Sequence, residues 1–558
     1  MLMSLQLIYG PSGSGKSYTL YKKIIEQSIR EPDREFIVIV PEQFTMQTQR
    51  ELVELHPNRG ILNIDVQSFL RLAWRIFEEV GVDTHTVLED TGKNLLLRRV
   101  ASRQKNDLTV LGRNFRKPGY ISQVKSIISE LKQYDVSLEE LDEQLRSGKK
   151  DALSYKLQDI RNLYEGFQEE LQGKYITSEE ILEELCYVVK KSEILKGCVV
   201  ALDGFTGFTP IQNKLLRELM QTAEKIYVTV TLDAWEDPMK KVSMHKLSYL
   251  SKKTIQQLAG AAKECGCMLE NPEVLGKEGS IRFRSAPALR FLERHLFRPG
   301  NQIYEAQDSQ KLERELSLHV ARDAKAEAEF AARTIWHLVR EENLRYRDIA
   351  VITGDMESFG DHMKKELQQK GIPCFIDRTR KLLLNPLVEF LRAALQIAAK
   401  SFRYESVFRY LRTGLAGLKK DEIDRLENYV LANGINSRRR WEEPWDEQEE
   451  PFKEKILPPL LAFVDQVREK DGTVRQKTEA LYYLMVHYGI EQKMQDYREK
   501  FEQEEAYDLA REYEQIYGIV IELFDKLVEL LGDEPMSLQE YTEILDAGIF
   551  LKAHRCRI

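Results

Sequence analysis

The sequence has few of the residues that cross-link a chain or anchor it in a membrane. Its 558 residues include six scattered cysteines, without the paired spacing of a zinc site or a disulfide framework. Nine histidines show no metal-ligand spacing. No run of eighteen apolar residues is present, and the N-terminus lacks the basic region and cleavage site of a signal peptide. We therefore expect a cytoplasmic protein with reduced thiols and no membrane contact.

The overall composition is that of a globular protein. Hydrophobic residues make up 42% of the chain and charged residues 31%, which favours a fold rich in helix. The length predicts about three or four domains. The net charge of −8 argues against a wholly basic nucleic-acid-binding surface but not against a local basic groove.

A complete phosphate-binding loop lies close to the N-terminus. It reads Gly10-Pro11-Ser12-Gly13-Ser14-Gly15-Lys16-Ser17 and fits G-x-x-x-x-G-K-[ST]. An apolar strand pattern precedes it at residues 5–9, and a helical pattern follows at residues 18–25. In such a loop the lysine reaches the β- and γ-phosphates and the final serine ligates Mg²⁺. The sequence therefore predicts ATP and Mg²⁺ at residues 10–17.

Strand and helix patterns alternate in two parts of the chain. Apolar strand patterns occur at residues 35–40, 61–66, 197–203 and 225–232, and a second series occurs at residues 316–320, 349–352 and 372–376. Helical patterns dominate residues 86–192 and the chain beyond residue 401. This organisation predicts an α/β fold with two RecA-like P-loop domains of the superfamily 1 helicase type, each with a helical insertion.

The predicted domain boundaries follow the same patterns. The first RecA-like domain takes residues 1–85 and 193–296, interrupted by a helical insertion at residues 86–192. The first part of the second RecA-like domain takes residues 310–400, and a truncated helical insertion takes residues 401–558.

A second nucleotide motif ends the strand pattern at residues 197–203. Asp203 stands where a carboxylate reaches Mg²⁺ beside a P-loop, and with Ser17 it is the predicted metal ligand. Active helicases of this superfamily place a water-activating glutamate next, but this chain has Gly204. Glu42 and Gln43 either approach the nucleotide or satisfy the start of the helix that follows them.

Basic residues cluster between residues 91 and 125. Nine Lys and Arg side chains face a single acid, Asp107, and two aromatic residues lie among them. Cations for phosphates and rings for base stacking are what a single-stranded DNA path requires. The alternative is a solvated helix face. The candidate DNA-binding residues are Arg98, Arg99, Arg113, Phe115, Arg116 and Lys117.

Longer motifs extend along the whole chain. They are VPEQFT at 40–45, LEDTGK at 88–93, LDGFTGFTP at 202–210, RYRDIAV at 345–351, GIPCFID at 371–377 and LENYV at 426–430. Their order and spacing, from about residue 4 to about residue 550, resemble those of the AddB (RexB-type) subunits of bacterial AddAB helicase–nucleases.

The resemblance implies a role in processing double-strand DNA ends for homologous recombination. AddB-type subunits form a heterodimer with the AddA-type helicase–nuclease. Their own helicase-like core guides the separated strand and takes part in recognising the Chi sequence. The family also has a C-terminal 5′–3′ nuclease domain with Mg²⁺ and a [4Fe–4S] cluster held by four cysteines.

The C-terminus departs from the family pattern. The resemblance fades near residue 551, and family members continue well beyond this length, so we expect a truncated chain without the nuclease domain or the cluster ligands. Two other functions stay open. An autonomous superfamily 1 helicase motor is disfavoured by Gly204. A P-loop kinase or other small-molecule phosphotransferase is disfavoured by the length, the helical insertions and the basic residues.

Overall fold

A computed structural model describes most of the chain. The described residues are 3–82, 86–104, 107–112, 118–147, 151–296, 298, 300, 302–305, 308–376, 384–469 and 471–553. The chain divides into two compact units. Unit 1 comprises Met1–Leu88, Ser126–Lys149 and Gln168–His319, and unit 2 comprises Glu89–Lys125, Lys150–Phe167 and Val320–Ile558. The units share the predicted insertion at residues 86–192 between them, and the predicted domain boundaries stay predictions.

The strands all belong to unit 1 in the described ranges. They are β1 (Ser4–Gly10), β2 (Phe36–Ile39), β3 (Ile64–Gln67), β4 (Thr86–Leu88), β5 (Tyr175–Thr177), β6 (Val199–Leu202), β7 (Lys225–Thr231), β8 (Met268–Leu269) and β9 (Glu273–Val274). Four of them confirm strand patterns predicted from the sequence, although β3 begins three residues later than the pattern at residues 61–66.

Helices account for most of the other regular structure. Up to residue 315 they are α1 (Lys16–Arg30), α2 (Thr45–Leu55), α3 (Phe69–Val80), α4 (Asp90–Arg103), α5 (Pro118–Gln133), α6 (Leu138–Ser147), α7 (Ala152–Leu171), α8 (Ser178–Val188), α9 (Pro210–Leu219), α10 (Tyr249–Glu264), α11 (Pro287–His295) and α12 (Ser309–Glu315). No helix in the described ranges has the length and apolar composition that a membrane crossing requires.

Unit 2 is helical in the part that the structure describes. Beyond residue 320 its helices are α13 (Ala324–Arg340), α14 (Met356–Gln369), α15 (Pro386–Lys400), α16 (Tyr404–Leu411), α17 (Lys420–Ala432), α18 (Arg438–Glu442), α19 (Glu450–Val467), α20 (Val474–His487), α21 (Ile490–Gln503), α22 (Tyr507–Leu531) and α23 (Leu538–Ala553).

The main sheet of unit 1 is parallel. Its strand order is β3-β2-β6-β7-β1-β8, and β9 also pairs with β1. Strand β7 therefore lies between β1, which precedes the P-loop, and β6, which precedes Asp203. The carboxyl ends of parallel strands lie at one edge of a sheet, which is where α/β proteins bind ligands. This strand order brings both nucleotide motifs to the same edge.

Both faces of this sheet are covered by helices. On β2, Ile37 and Ile39 belong to a core that includes residues of α3, α8, α9 and α10, whereas Phe36 and Val38 belong to a core with residues of α1 and α2. All four side chains are fully buried. Successive side chains of a strand point to opposite faces, so a strand covered on both sides is apolar throughout. That burial explains the uninterrupted apolar run at residues 35–40.

The predicted second series of strands is wrong for the described structure. Residues 316–320, 349–352 and 372–376 join no ladder of backbone hydrogen bonds in the described ranges. A parallel strand needs a neighbouring strand to pair its N–H and C=O groups. Without one, apolar side chains of these segments lie open to solvent, with Leu318 95% exposed and Ile352 92% exposed. The mostly parallel sheet with many helices nevertheless makes the chain an α/β protein.

Candidate functional site

The P-loop connects β1 directly to α1. Strand β1 ends at Gly10 and α1 begins at Lys16. Gly13 and Gly15 have φ angles of +74° and +88°, a left-handed conformation that glycine adopts without strain. No side chain caps the start of α1. The first N–H groups of this helix can therefore bind an anion, as in other phosphate-binding loops.

Lys16 lies across the loop. Its Nζ donates hydrogen bonds to the carbonyl oxygens of Gly10, at 3.1 Å, and Pro11, at 3.0 Å. Burial lowers the pKa of Lys16; the negative charge of Asp203 opposes that shift, and the positive charge of Arg282 adds to it. A lysine held by carbonyl oxygens can exchange them for the more strongly accepting oxygens of a phosphate.

The residues of the loop fit a nucleotide phosphate group. The hydroxyl of Ser14 is buried and has no hydrogen-bond partner among the described residues, and the whole residue is only 2% exposed. A buried polar atom without a partner costs free energy, which a ligand can recover by bonding to it. The orphan hydroxyl, the uncapped helix start and Lys16 together make the loop suitable for holding the phosphates of ATP.

A distant segment packs against the outside of the P-loop. The hydroxyl of Ser280 donates to the carbonyl oxygen of Ser12 at 3.0 Å, and the backbone N–H of Arg282 donates to that of Gly13 at 3.2 Å. The exposed side chain of Arg282 adds a second cation close to Lys16. Sequence analysis missed this segment because it lies 268 positions from the loop and carries no motif that we recognised.

Asp203 is buried at the end of β6 and is held by two hydroxyl groups. Its Oδ2 accepts a hydrogen bond from the Tyr21 hydroxyl at 2.7 Å, and its Oδ1 accepts one from the Thr229 hydroxyl at 2.5 Å. The residue is 5% exposed. The structure thus places Asp203 near Lys16, as predicted. Sequence analysis missed Tyr21 and Thr229, because neither belongs to a nucleotide-binding motif.

The residue after Asp203 has a backbone that suits glycine. Gly204 has a φ angle of +79°, and a Cβ atom added there would lie 3.5 Å from Cδ of Pro41. A non-glycine residue in this conformation costs roughly 1–2 kcal/mol. The absence of a water-activating glutamate is therefore built into the backbone as well as into the sequence.

A cavity of about 660 Å³ opens beside Gly204. Phe69, Phe205 and Phe208 lie along this side of the unit with ring centroids 5.2–6.5 Å apart, and the first two of them line the cavity. Glu42 and Gln43 also line it. The N-terminus of α2 has no side-chain cap, so these two residues do not serve the start of that helix. Their predicted approach to the nucleotide stays a prediction.

The predicted basic path falls partly on paired residues. Nη2 of Arg98 lies 2.8 Å from a carboxylate oxygen of Glu543, and Nε of Arg99 lies 2.7 Å from one of Glu534. Burial lowers the pKa of Arg98, and the carboxylate of Glu543 opposes that shift. These two arginines neutralise acids within unit 2. The other candidates, Arg113, Phe115, Arg116 and Lys117, lie outside the described residues.

Comparison with known families accounts for the whole chain. A family model described as "ADDB, N-terminal" matches residues 7–293, and one described as "UvrD-like helicase C-terminal domain" matches residues 284–547. The chain belongs to the AddB family. The resemblance identified from the motifs is thereby confirmed.

Individual relatives support the same assignment. The AddB chain is 44% identical to a protein of Lachnoclostridium phytofermentans, over 98% of this chain and 49% of the relative. It is 34% identical to a protein of Clostridium novyi, over 98% of this chain and 48% of the relative. Both relatives are named as the AddB-type subunit of an ATP-dependent helicase/deoxyribonuclease. The chain spans about half the length of the curated relatives it matches.

Replacing Gly204 with glutamate tests the constraint at the residue after Asp203. We expect Gly204→Glu to gain no DNA-stimulated ATP hydrolysis and to lower the stability of unit 1 by roughly 1–2 kcal/mol, because the left-handed backbone is strained by a side chain. Steady-state ATPase assays and chemical unfolding measure the two effects. Gly207→Glu is the matched control, since its φ is not left-handed and its Cβ meets Thr254 at an ordinary 3.5 Å. A variant with restored turnover would contradict this account of Gly204.

Proposed function

We propose that this AddB chain is part of an ATP-dependent DNA helicase/exonuclease that processes double-strand breaks for homologous recombination and recognises Chi. Its helicase-like core binds ATP with Mg²⁺ and guides single-stranded DNA, and it is not itself the motor. The observation that carries the proposal is a complete P-loop beside Asp203 with glycine at the following position. Such a site keeps the groups that hold a nucleotide and lacks the group that activates water.

The autonomous helicase motor is the competing function. It requires rapid hydrolysis, and hydrolysis requires a side chain that orients the attacking water. Gly204 has none. Ser17 and Asp203 would hold Mg²⁺, which supplies charge neutralisation on the phosphates, while Lys16 and the N–H groups at the start of α1 would bind the phosphate oxygens.

The cavity beside Gly204 suits a single-stranded DNA path. Aromatic rings stack on bases of any sequence, and each stacked base contributes about 1–3 kcal/mol. Phe205 is half-buried and Phe44 is 42% exposed at the cavity wall, so both rings are accessible. The amide of Gln43 can donate to and accept from the edge of a base, which is the chemistry that sequence recognition requires. We assign Chi recognition to this cavity.

Several further parts of the proposal rest on family membership. We propose that the chain works in the cytoplasm with an AddA-type helicase–nuclease as its heterodimer partner. Residues 310–400 would form the first part of a second RecA-like domain, which the UvrD-like match at residues 284–547 supports. The 5′–3′ nuclease domain and its [4Fe–4S] cluster belong to longer members of the family, and the cluster ligands are absent from this sequence.

ATP binding at the P-loop depends on Lys16. We expect Lys16→Ala to weaken the binding of a fluorescent ATP analogue by roughly ten- to a hundredfold, because it removes a charged hydrogen bond worth about 1.5–3 kcal/mol. Fluorescence titration with Mg²⁺ measures the change. Lys22→Ala is the control, because this exposed lysine on α1 pairs with Glu26, at 3.9 Å. Equal affinity of wild type and Lys16→Ala would contradict the site assignment.

The salt dependence of DNA binding separates the cavity from the basic residues. We expect Phe205→Ala to weaken binding to oligo-dT roughly tenfold or more at every salt concentration, because stacking is lost and no phosphate contact changes. Neutralising Arg113, Arg116 and Lys117 together should flatten the log–log salt slope by about 2 units if each contacts a phosphate. Fluorescence anisotropy from low to high salt measures both effects.

Two controls sharpen this comparison. Phe330→Ala removes a partly exposed phenylalanine from α13, outside the cavity. Neutralising Lys190, Lys191 and Lys196 removes three exposed cations that precede β6, at the opposite edge of the sheet. Neither control should change affinity or slope by a comparable amount. Unchanged binding by Phe205→Ala would exclude the cavity as a DNA path, and an unchanged slope would make the basic residues a solvated surface.

Association with an AddA-type subunit tests the proposed partner. We expect a tagged form of this chain, co-expressed with the AddA-type gene of the same organism, to retain the partner through affinity and size-exclusion chromatography. The tag alone serves as the control. An AddA-type subunit that elutes separately at all ionic strengths would exclude a stable heterodimer through this part of AddB.

A further inference from the structure

We propose that Tyr21 and Thr229 are positioning residues that fix the Asp203 carboxylate for Mg²⁺. The inference rests on the proposed nucleotide site and assigns a role to two residues outside its motifs. Tyr21 lies on α1, Thr229 on β7 and Asp203 after β6. All three residues are at most 5% exposed. The carboxylate is therefore held inside the unit by two separate elements.

The two hydroxyl groups bind different oxygens of the carboxylate. Tyr21 donates to Oδ2 and Thr229 donates to Oδ1. One bond at each oxygen fixes the rotation of the carboxylate about its own axis. Each carboxylate oxygen has two lone pairs, so one lone pair on each oxygen stays available for a metal ion or a metal-bound water.

The position of Tyr21 on α1 directs the carboxylate towards the predicted metal ligand of the P-loop. Tyr21 follows Ser17 by four residues on the same helix. Residues four apart lie on one face of a helix. A hydroxyl bonded to Asp203 from that face therefore draws the carboxylate to the side of α1 that also carries the Ser17 hydroxyl.

Thr48 orients the hydroxyl of Tyr21. The Tyr21 oxygen lies 3.3 Å from the Thr48 hydroxyl on α2. A phenol has one proton, and since Tyr21 donates it to Asp203, Thr48 must donate to Tyr21. Burial and the charge of Asp203 raise the pKa of Tyr21 far above its usual value. The phenol therefore keeps the proton that this chain of bonds requires.

Hydroxyl partners preserve the charge that a metal ion needs. A buried carboxylate without partners would lose much of its ionised form, whereas a partnering Lys or Arg would neutralise it. Two neutral donors stabilise the carboxylate and leave its negative charge uncompensated. Removing such a partner from a metal-binding carboxylate commonly lowers metal affinity 10- to 100-fold.

Manganese binding tests the proposal directly. The probe is Mn²⁺, measured by electron paramagnetic resonance in the presence of a non-hydrolysable ATP analogue. We expect Tyr21→Phe to weaken Mn²⁺ binding roughly 10- to 100-fold and to leave binding of the analogue in EDTA unchanged. Thr229→Val should act in the same direction through the other oxygen. Thr48→Val should have a smaller effect, because its bond to Tyr21 is longer.

Tyr227→Phe is the matched control. Its hydroxyl is also buried, and it accepts a hydrogen bond from Gln27 at 2.8 Å, away from Asp203. It should not change Mn²⁺ affinity. Equal Mn²⁺ affinity in wild type and Tyr21→Phe, with the analogue bound in both, would overturn the positioning role and leave nucleotide binding intact. A wild type that binds neither the analogue nor Mn²⁺ would overturn the nucleotide site as well.

Discussion

The buried carboxylate of Asp203 is the group around which the nucleotide-binding edge of unit 1 is arranged. A charge removed from water must be hydrogen-bonded, or it costs several kcal/mol. The donors come from α1 and β7, and the backbone N–H of Asp203 is tied to β2. These contacts are possible because β7 is inserted between β1 and β6. The strand order, the helix after the P-loop and the metal-binding carboxylate therefore depend on one another.

Local patterns predicted the core of unit 1 and its two nucleotide motifs. The P-loop, the strand ending at Asp203 and the helix from Lys16 are each encoded within a few residues, so sequence periodicity and motif spacing were sufficient. The partners of these motifs were not predictable in that way. Ser280 meets the P-loop from 268 positions away, and Thr229 meets Asp203 from the neighbouring strand. Their side chains carry no signal until the sheet order is known.

The same limit explains the errors outside the nucleotide site. An apolar run predicts a strand only if another strand is available to pair with it, and the segment at residues 349–352 joins no ladder in the described ranges. A run of cations predicts a DNA path only if acids elsewhere leave them free. Arg98 meets Glu543 at a separation of 445 residues, so its charge is compensated within unit 2. Composition along the sequence reveals neither pairing.

Gly204 links the lost hydrolytic group to the cavity beside it. Its left-handed backbone turns the chain after Asp203, and the next residue, Phe205, lines the cavity and packs near Phe69. A glutamate needs a backbone that projects its side chain towards the nucleotide, and a residue with a Cβ is strained in the conformation seen here. One position cannot satisfy both requirements. The edge of the sheet has therefore exchanged a catalytic side chain for a turn that carries an aromatic surface, and ATP in such a site would act by being bound rather than by being hydrolysed.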